Sequence, residues 1–325
     1  MEKIINHGLP HIAEQIFDNI NTDGLFQLLK VSKTWEVLAE NVLLKRWKGK
    51  MLKACKNGKT KVVQLLLENC NPEESGLNKK DHPENDEEKD DDEDEDDEDE
   101  DDDWEDVDDD EDEDEEEESE YGFTPFIWAC KNGHRDVVQL LLNHSERIDL
   151  NARNNNGYTP FIEACWNGHK EVVQLLLDHS EKIELNASDN YGLTAFMYAC
   201  LKGRKDVVKL LLDHPGRIDL NARSISGISS FMWACKNGHK DVVKLLLEHS
   251  DPRIEVNAKD DFGETAFMEA CCRGHKDVVQ LLLDNSESID LYAKSNHGDT
   301  ALMIAIRDGQ QDIVQLLKSK LTNLS

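Results

Sequence analysis

Two kinds of residue that can bind metals or form disulfides recur along this sequence at a nearly constant spacing. Most neighbours in these series are about 35 residues apart. The cysteine series comprises Cys55, Cys130, Cys165, Cys200, Cys235 and Cys271. One histidine series comprises His134, His169, His239 and His275, and a second comprises His144, His179, His214 and His249. Thiolates and imidazoles are the usual zinc ligands, so a metal or redox site has to be considered first.

The spacing argues against both chemistries. Side chains that occur once per stacked unit lie about 8–10 Å apart. That distance exceeds the ~7 Å limit on Cα separation in a disulfide and is too wide for a compact metal site. The sequence has no Cys-x-x-Cys pair, glycine-rich phosphate loop, paired-carboxylate motif or nucleophile elbow. We therefore expect small buried cysteines, structural histidines, no metal, no cofactor and no enzymatic activity.

The two series reflect an internal repeat. The segments 124–134 and 159–169 are near copies, and spacings of 35 or 36 residues separate their successors. The equivalent first positions are Thr124, Thr159, Thr194, Ser229, Thr265 and Thr300. An earlier copy at 54–58 lies 75 residues before its counterpart at 129–133. Fixed periods of this length indicate stacked units that bury their apolar faces against one another.

Each unit is predicted to contain two short helices. Thr124 suits the N-cap of the first helix, with Pro125 at its first position. Gly133 suits its end, because glycine adopts the left-handed conformation without strain. Residues 136–142 then combine an acidic first turn with an apolar face, which is typical of a second helix. Asn156-Gly157 indicates the turn that leads to the next unit.

The charge of the chain is concentrated in one segment. The formal net charge is −32, and residues 81–120 alone hold 33 acidic residues and one basic residue. Removing these 40 residues restores the 35-residue spacing, so the segment interrupts an otherwise regular array of neutral units. Such composition predicts a disordered loop. A second interpretation is electrostatic capture of a basic protein, with Trp104 and Val107 as apolar contacts.

The rest of the composition limits the partners and the compartment. A neutral body has no basic patch for nucleic acid, and no apolar run approaches the ~18 residues of a membrane span. The first residues lack the features of a secretory signal, and eight cysteines then favour a reducing compartment. We expect a monomer in the cytoplasm, with the nucleus as the alternative.

The repeated segments resemble the ankyrin repeat, whose pattern runs Gly-x-Thr-Pro-Leu-His through Gly-His to Val-Val-x-Leu-Leu-Leu. The resemblance implies an all-α solenoid of about seven repeats with short β-hairpin loops, covering 48–80 and 120–325 around a disordered acidic insertion at 81–119. The motif histidine is replaced by an apolar residue in each clear copy, which predicts an apolar contact in its place. These residues are Ile127, Ile162, Met197, Met232, Met268 and Met303.

Residues 1–47 precede the repeats, and residues 9–20 within them have a helical apolar period. Their spacing resembles an F-box, a small helical module that docks on a Skp-type adaptor of a cullin ubiquitin ligase. The resemblance implies an adaptor-facing surface formed by Leu9, Pro10, Ile16, Ile20, Leu25, Val31 and Trp35. The alternative is a helical cap that only covers the first repeat. An F-box followed by ankyrin repeats is similar to proteins of large DNA viruses, including those of amoebae, which implies a host cytoplasm.

Ankyrin repeats bind proteins on the concave face formed by hairpin tips and first helices. In this sequence the positions that differ between units are rich in aromatic and charged residues, and we expect their rings to face a solvent-exposed groove. The candidate client-binding residues are Tyr121, Phe123, Trp128, Lys131, Tyr158, Glu163, Trp166, Tyr191, Tyr198, Lys202, Trp233, Lys236, Phe262 and Glu269. Tryptophan and tyrosine dominate binding hot spots. The alternative is that the tryptophans only fill gaps between first helices.

Three functions are therefore open at this stage. The first is a substrate-recruiting F-box adaptor of a Skp/cullin-type ubiquitin ligase, with the client on the ankyrin groove. The second is a plain ankyrin scaffold or sequestering protein without a role in ubiquitination. The third is a histone-chaperone-like binder that holds a basic protein through the acidic insertion.

Overall fold

The computed structural model describes residues 50–70, 76–80, 122–214, 217–249 and 254–323. The F-box-like module at 1–47, the acidic insertion at 81–119 and Tyr121 lie outside these ranges. The predictions made for them therefore stay predictions.

Fourteen α-helices occur in the described ranges, and they alternate as the first and second helix of seven repeats. The first helices are α1 Met51–Lys56, α3 Pro125–Lys131, α5 Pro160–Asn167, α7 Ala195–Leu201, α9 Ser230–Lys236, α11 Ala266–Cys272 and α13 Ala301–Arg307. The second helices are α2 Thr60–Asn69, α4 Arg135–Leu142, α6 Lys170–Asp178, α8 Lys205–Leu212, α10 Lys240–Glu248, α12 Lys276–Asp284 and α14 Gln311–Asn323. A 3-10 turn at Ser145–Arg147 follows α4. Within these ranges no helix combines the length and apolarity that crossing a membrane requires.

The predicted helix ends are present. Thr124 caps α3 by accepting a hydrogen bond from the Ile127 amide at 3.3 Å, and Pro125 is the first helical residue. Threonine or serine caps every later first helix in the same way. Gly133 follows α3 with φ of 69°, in the left-handed region as expected. These local rules explain why the same helix pair forms in each repeat.

The loops between repeats contain less β-structure than the sequence predicted. In the described residues the expected hairpins are reduced to isolated antiparallel bridges at Ser188–Thr194, Arg223–Ser229 and Lys259–Thr265. Consecutive loops are nevertheless joined, because the amide of Ile225 donates to the carbonyl of Tyr191 at 3.0 Å. The tips of neighbouring loops therefore form a continuous row.

The repeats stack in two layers, with the first helices in one layer and the second helices in the other. The first helices pack more closely, because each presents small residues such as Ala129 and Cys130, which are fully buried. The second helices present larger Val and Leu side chains. The cysteine series forms part of this tight core, as predicted.

Seven of the eight cysteines are buried thiols. All eight lie in the described ranges, and none is in a disulfide. Burial raises the pKa of the Cys55, Cys165 and Cys200 thiols well above the usual range. Cys272 is only partly buried, and desolvation together with a hydrogen bond to Asp308 raises its pKa to about 11. Thiols held in the neutral form are unreactive, which fits a structural role.

The first histidine series links each repeat to the preceding one. His239 Nε2 lies 2.6 Å from the Leu201 carbonyl at the end of the preceding first helix, and His134, His169 and His275 make equivalent contacts. Because a carbonyl only accepts, Nε2 carries the proton. Burial lowers the pKa of His239, which favours this neutral form. Arg204 and Gln310 replace histidine at this position and also donate to a carbonyl.

The histidines of the second series follow the second helices, but they do not all make the same contact there. Nδ1 of His144 and Nδ1 of His179 lie 3.0 and 2.9 Å from carbonyls of the last turn, so these residues cap their helices as expected. His214 departs from the pattern, because its buried Nδ1 has no hydrogen-bond partner.

Candidate protein-binding surface

The first helices and the loops before them form one side of the two-layered array, here called the first-helix surface. The predicted client-binding residues in the described ranges come from these elements, except Lys202, which directly follows the first helix Ala195–Leu201. They are distributed over three clusters and a row of loop tips, so the residues come together in groups rather than in a single pocket.

The first cluster contains Phe123 and Trp128, whose ring centroids are 4.8 Å apart. Lys56 Nζ lies 4.2 Å from the Trp128 ring centroid, and Lys131 Nζ lies 4.9 Å from that of Phe123. Both rings are buried and pack with Ile127. The expectation that these two rings face solvent is therefore wrong, because the close approach of the first helices covers them. The ammonium groups of Lys56 and Lys131 lie over these rings and are the polar groups that this cluster offers to a partner.

The second cluster contains Tyr158, Trp166 and Tyr198. The Trp166 and Tyr198 rings are stacked, with centroids 4.6 Å apart and an interplanar angle of 9°. Tyr158 meets both rings edge-on at 5.2 and 5.6 Å. Lys202 Nζ lies 5.5 Å from the Trp166 ring centroid. Tyr198 is buried, whereas Tyr158 and Trp166 are half-buried, so part of this cluster reaches solvent.

A buried carboxylate fixes the position of Tyr198. The Tyr198 hydroxyl donates to Asp189 Oδ2 at 2.6 Å, and the Tyr158 hydroxyl lies 3.3 Å away. Desolvation and the bond to Asp189 raise the pKa of Tyr198 well above its usual value. Asp189 also accepts from the amides of Tyr191 and Leu193 at 2.9 and 2.8 Å. Hydrogen bonds to Asp189 thus join the loop to the aromatic cluster.

The third cluster combines a tryptophan with carboxylates. Lys236 Nζ lies 5.6 Å from the Trp233 ring centroid and forms an ion pair with buried Glu269 at 3.3 Å. Oxygens of Asp260, Glu264 and Glu269 lie within 4.8 Å of one another, a spacing that could hold a cation. Burial is the main cause that raises the pKa of Glu264, and the negative charges of Glu269 and Asp260 raise it further. The side chains therefore concentrate negative charge in repeat six.

The loop tips supply the exposed apolar residues. Tyr191 and Phe262 are 58% and 61% exposed, as expected for contact residues. Ile225, at the tip between them, is 69% exposed, and the sequence analysis did not single it out. Glu163 is buried and lies near the Asn167 amide, so it belongs to the core of its repeat.

Sequence reasoning also missed Asp189, Asp260 and Glu264. The signal was present at the position three residues before each loop glycine, where Asp189 and Asp260 occur and other repeats have Asn or Ser. The side chain at this position accepts amides of its own loop, which explains the preference for small oxygen-bearing residues.

A family model described as ankyrin repeats (3 copies) matches residues 106–189, 146–224, 179–260 and 231–324. Together these matches span 106–324, about two-thirds of the chain. No curated protein matches the chain.

Proposed function

The chain belongs to the ankyrin repeat family, and we propose that its first-helix surface holds a protein client. Ankyrin repeats indicate a protein–protein interaction role. The observation that carries the proposal for this surface is the aromatic cluster of Tyr158, Trp166 and Tyr198, which Asp189 joins to the loop that carries the exposed Tyr191. Large apolar side chains in solvent mark interaction sites when they are grouped.

The aromatic cluster is already rigid before any partner binds. Stacking between Trp166 and Tyr198, and the Tyr198 bond to Asp189, hold the rings in one arrangement. Binding loses affinity when side chains must be ordered at the interface. A preorganised ring avoids that loss, so the half-buried face of Trp166 is suited to act as a hot spot.

Charge varies along the surface. Lys56 and Lys131 lie over the rings of the first cluster, whereas Asp260, Glu264 and Glu269 converge in the third cluster. Complementary charges set the orientation and the association rate of a partner more than its affinity. We expect a client that presents acidic residues towards repeats one and two and basic residues towards repeat six.

The test is affinity capture with three forms of the full chain. The loop-tip variant Tyr191→Ala/Phe262→Ala removes two exposed rings and should fold normally, because both side chains are more than half exposed. The matched control is Lys209→Ala/Lys244→Ala, which alters exposed residues on the second helices. The proposal requires a captured protein that the loop-tip variant loses and the control retains. Loss in the control alone, or in neither variant, contradicts it.

The finer role proposed from the sequence is recruitment of the client to a Skp/cullin-type ubiquitin ligase. It rests on the F-box-like spacing from Ile16 to Trp35. Copurification with a Skp-type adaptor tests it, with Ile16→Asp/Val31→Asp as the disrupted form. Capture by the wild type alone supports the role, and absence of adaptor from both forms contradicts it. Without the adaptor, the plain scaffold or sequestering role remains, and we propose the cytoplasm as its site.

The acidic insertion is proposed as a second contact for a basic client. Its support is the concentration of 33 acidic residues in 81–120 beside a neutral repeat array. Deleting 81–120 should then weaken client binding at low salt more than at physiological salt, because exposed charges are screened. Unchanged binding of a basic client at both salt concentrations contradicts this contact.

A further inference from the structure

Repeat one has an excess of positive charge that the other repeats do not share. Residues 50–70 and 76–80 contain seven lysines and one acidic residue, Glu68. Residues 122–325, which form the other six repeats, contain 23 basic and 27 acidic residues. The array is neutral as a whole, but its first repeat is basic.

Part of this positive charge lies on the first-helix surface. Lys53 and Lys56 are three residues apart on α1, so they share one face of the helix, and both are exposed. The Lys56 and Lys131 ammonium groups lie 4.2 and 5.2 Å from the Trp128 ring centroid. Lys53, Lys56 and Lys131 are here called the basic patch.

Several lysines of later repeats are paired with carboxylates, whereas those of α1 are not. Lys236 lies 3.3 Å from Glu269, and Lys276 lies 3.2 Å from Asp312. Among the described residues, no ion pair involves Lys53 or Lys56. Grouped like charges repel one another and attract groups of the opposite charge. The basic patch therefore fits an acidic partner.

The residues that border the acidic segment 81–120 belong to the first-helix surface. Lys80 directly precedes the segment, and its Nζ donates to a carbonyl of the following loop at 2.7 Å. Phe123 follows three residues after the segment, and its ring centroid lies 4.8 Å from that of Trp128. Lys131 Nζ lies 4.9 Å from the Phe123 ring centroid. The segment is thus anchored at the edge of the basic patch.

We propose that the basic patch is an intramolecular docking surface and that its occupant is the acidic segment 81–120 of the same chain. The segment holds 33 acidic residues and one basic residue. Its 40 residues are ample to reach across α1, whose six residues span about 9 Å. A short tether gives an effective concentration of about millimolar, so the segment outcompetes a dilute acidic protein. The same negative charge beside the patch repels nucleic acid.

The contact is electrostatic and therefore sensitive to salt. Single exposed ion pairs contribute little, so docking requires several lysines and carboxylates together. A basic client that binds the segment has to displace it from the basic patch. That consequence rests on the proposed client binding, whereas the docking itself needs no client and is tested without one.

Carbodiimide cross-linking of the full chain tests whether the segment occupies the patch. The reagent joins an ammonium group to a carboxylate that it touches, and peptide mass spectrometry identifies the pair. Lys53 and Lys56 should be joined to carboxylates of 81–120 at about 20 mM salt, and these products should fall at least about tenfold at 500 mM. Exposed Lys209, on second helix α8, is the internal control and should not be joined to 81–120. A mixture of isotope-labelled and unlabelled chains distinguishes contacts within one chain from contacts between chains.

A binding assay tests the patch itself. In the full-length neutral-segment variant, Asp→Asn and Glu→Gln substitutions throughout 81–120 remove the acidic charge. Fluorescence anisotropy should show that a labelled polyglutamate peptide binds this variant at low salt. Adding Lys53→Gln/Lys56→Gln should weaken the Kd by about tenfold or more, whereas the matched addition of Lys209→Gln/Lys244→Gln should leave it unchanged. Circular dichroism checks that each variant is folded.

Four results would overturn the proposal. The first is the absence of cross-links from Lys53 and Lys56 to the segment, and the second is cross-links found only between chains. The third is a neutral-segment variant that does not bind polyglutamate, or that binds it equally without the two lysines. The fourth is wild-type protein that binds polyglutamate as tightly as the neutral-segment variant, because the patch would then be open.

Discussion

Gly203 lies directly beneath the imidazole of His239 from the next repeat, and Gly203→Ala should destabilise the array by about 2–3 kcal/mol. Gly203 has φ of 64°, where a side chain costs about 1–2 kcal/mol. A Cβ at this position would also lie 2.7 Å from His239 Nδ1, so the ring would have to move. Moving it breaks the 2.6 Å contact with the Leu201 carbonyl, which is worth about 1 kcal/mol.

A double-mutant cycle separates these two contributions. In a His239→Ala background the ring is absent, so Gly203→Ala should cost only the backbone penalty of about 1–2 kcal/mol. Gly309→Ala is a second comparison, since Gly309 has φ of 73° and no neighbour within 4 Å. Equilibrium unfolding in urea measures the free energy of each variant. The reasoning is refuted if the effects of Gly203→Ala and His239→Ala are simply additive, because the glycine would then not be required by the ring.

Three further changes have defined outcomes. Because burial lowers the pKa of folded His239 below its unfolded value of 6.5, its contribution to stability is present above pH 6.5 and is lost as the pH falls below it. His239→Gln, which copies Gln310, should therefore reduce the loss of stability measured by urea unfolding between about pH 7.5 and 5.5; an identical loss in both proteins contradicts this. Tyr198→Phe should cost about 1.5–3 kcal/mol in the same assay, because it removes the hydroxyl that donates to Oδ2 of the buried Asp189 carboxylate, whereas exposed Tyr191→Phe should change stability by less than about 0.5 kcal/mol. Cys235→Leu should lower the free energy of unfolding by about 1–3 kcal/mol through overpacking, and Cys235→Ala should be the milder change; equal costs would show that close packing of the first helices does not matter.

The features that the sequence predicted are those with local causes. Thr124, Pro125 and Gly133 set the ends of a first helix through capping and backbone conformation, and these rules act within about ten residues. The ankyrin architecture followed because the same local signals recur in register. The burial of the cysteine series was also predictable from the sequence. One cysteine per repeat lies too far from the next for a disulfide or a compact metal site, so a small buried residue was the expected role.

The features that the sequence missed depend on the distance between repeats. Phe123 and Trp128 are buried because neighbouring first helices approach closely, and helical periodicity within one repeat does not reveal this. The partnership of Tyr198 with Asp189 joins a helix to its preceding loop, and Trp166 stacks on it from another repeat. Met303 and Ile306 are exposed because no described repeat covers them, although the equivalent residues of the preceding repeats are buried.

The central claim is that a client protein binds on the first-helix surface, and the affinity of a captured client for three purified forms tests it most directly. Removal of the two exposed loop-tip rings in Tyr191→Ala/Phe262→Ala should weaken the Kd by about tenfold or more, since about 1.4 kcal/mol corresponds to tenfold. The second-helix control Lys209→Ala/Lys244→Ala should bind like the wild type. A client whose Kd is unchanged by the loop-tip substitutions but weakened by the control would place the interface on the opposite side of the array and contradict the account.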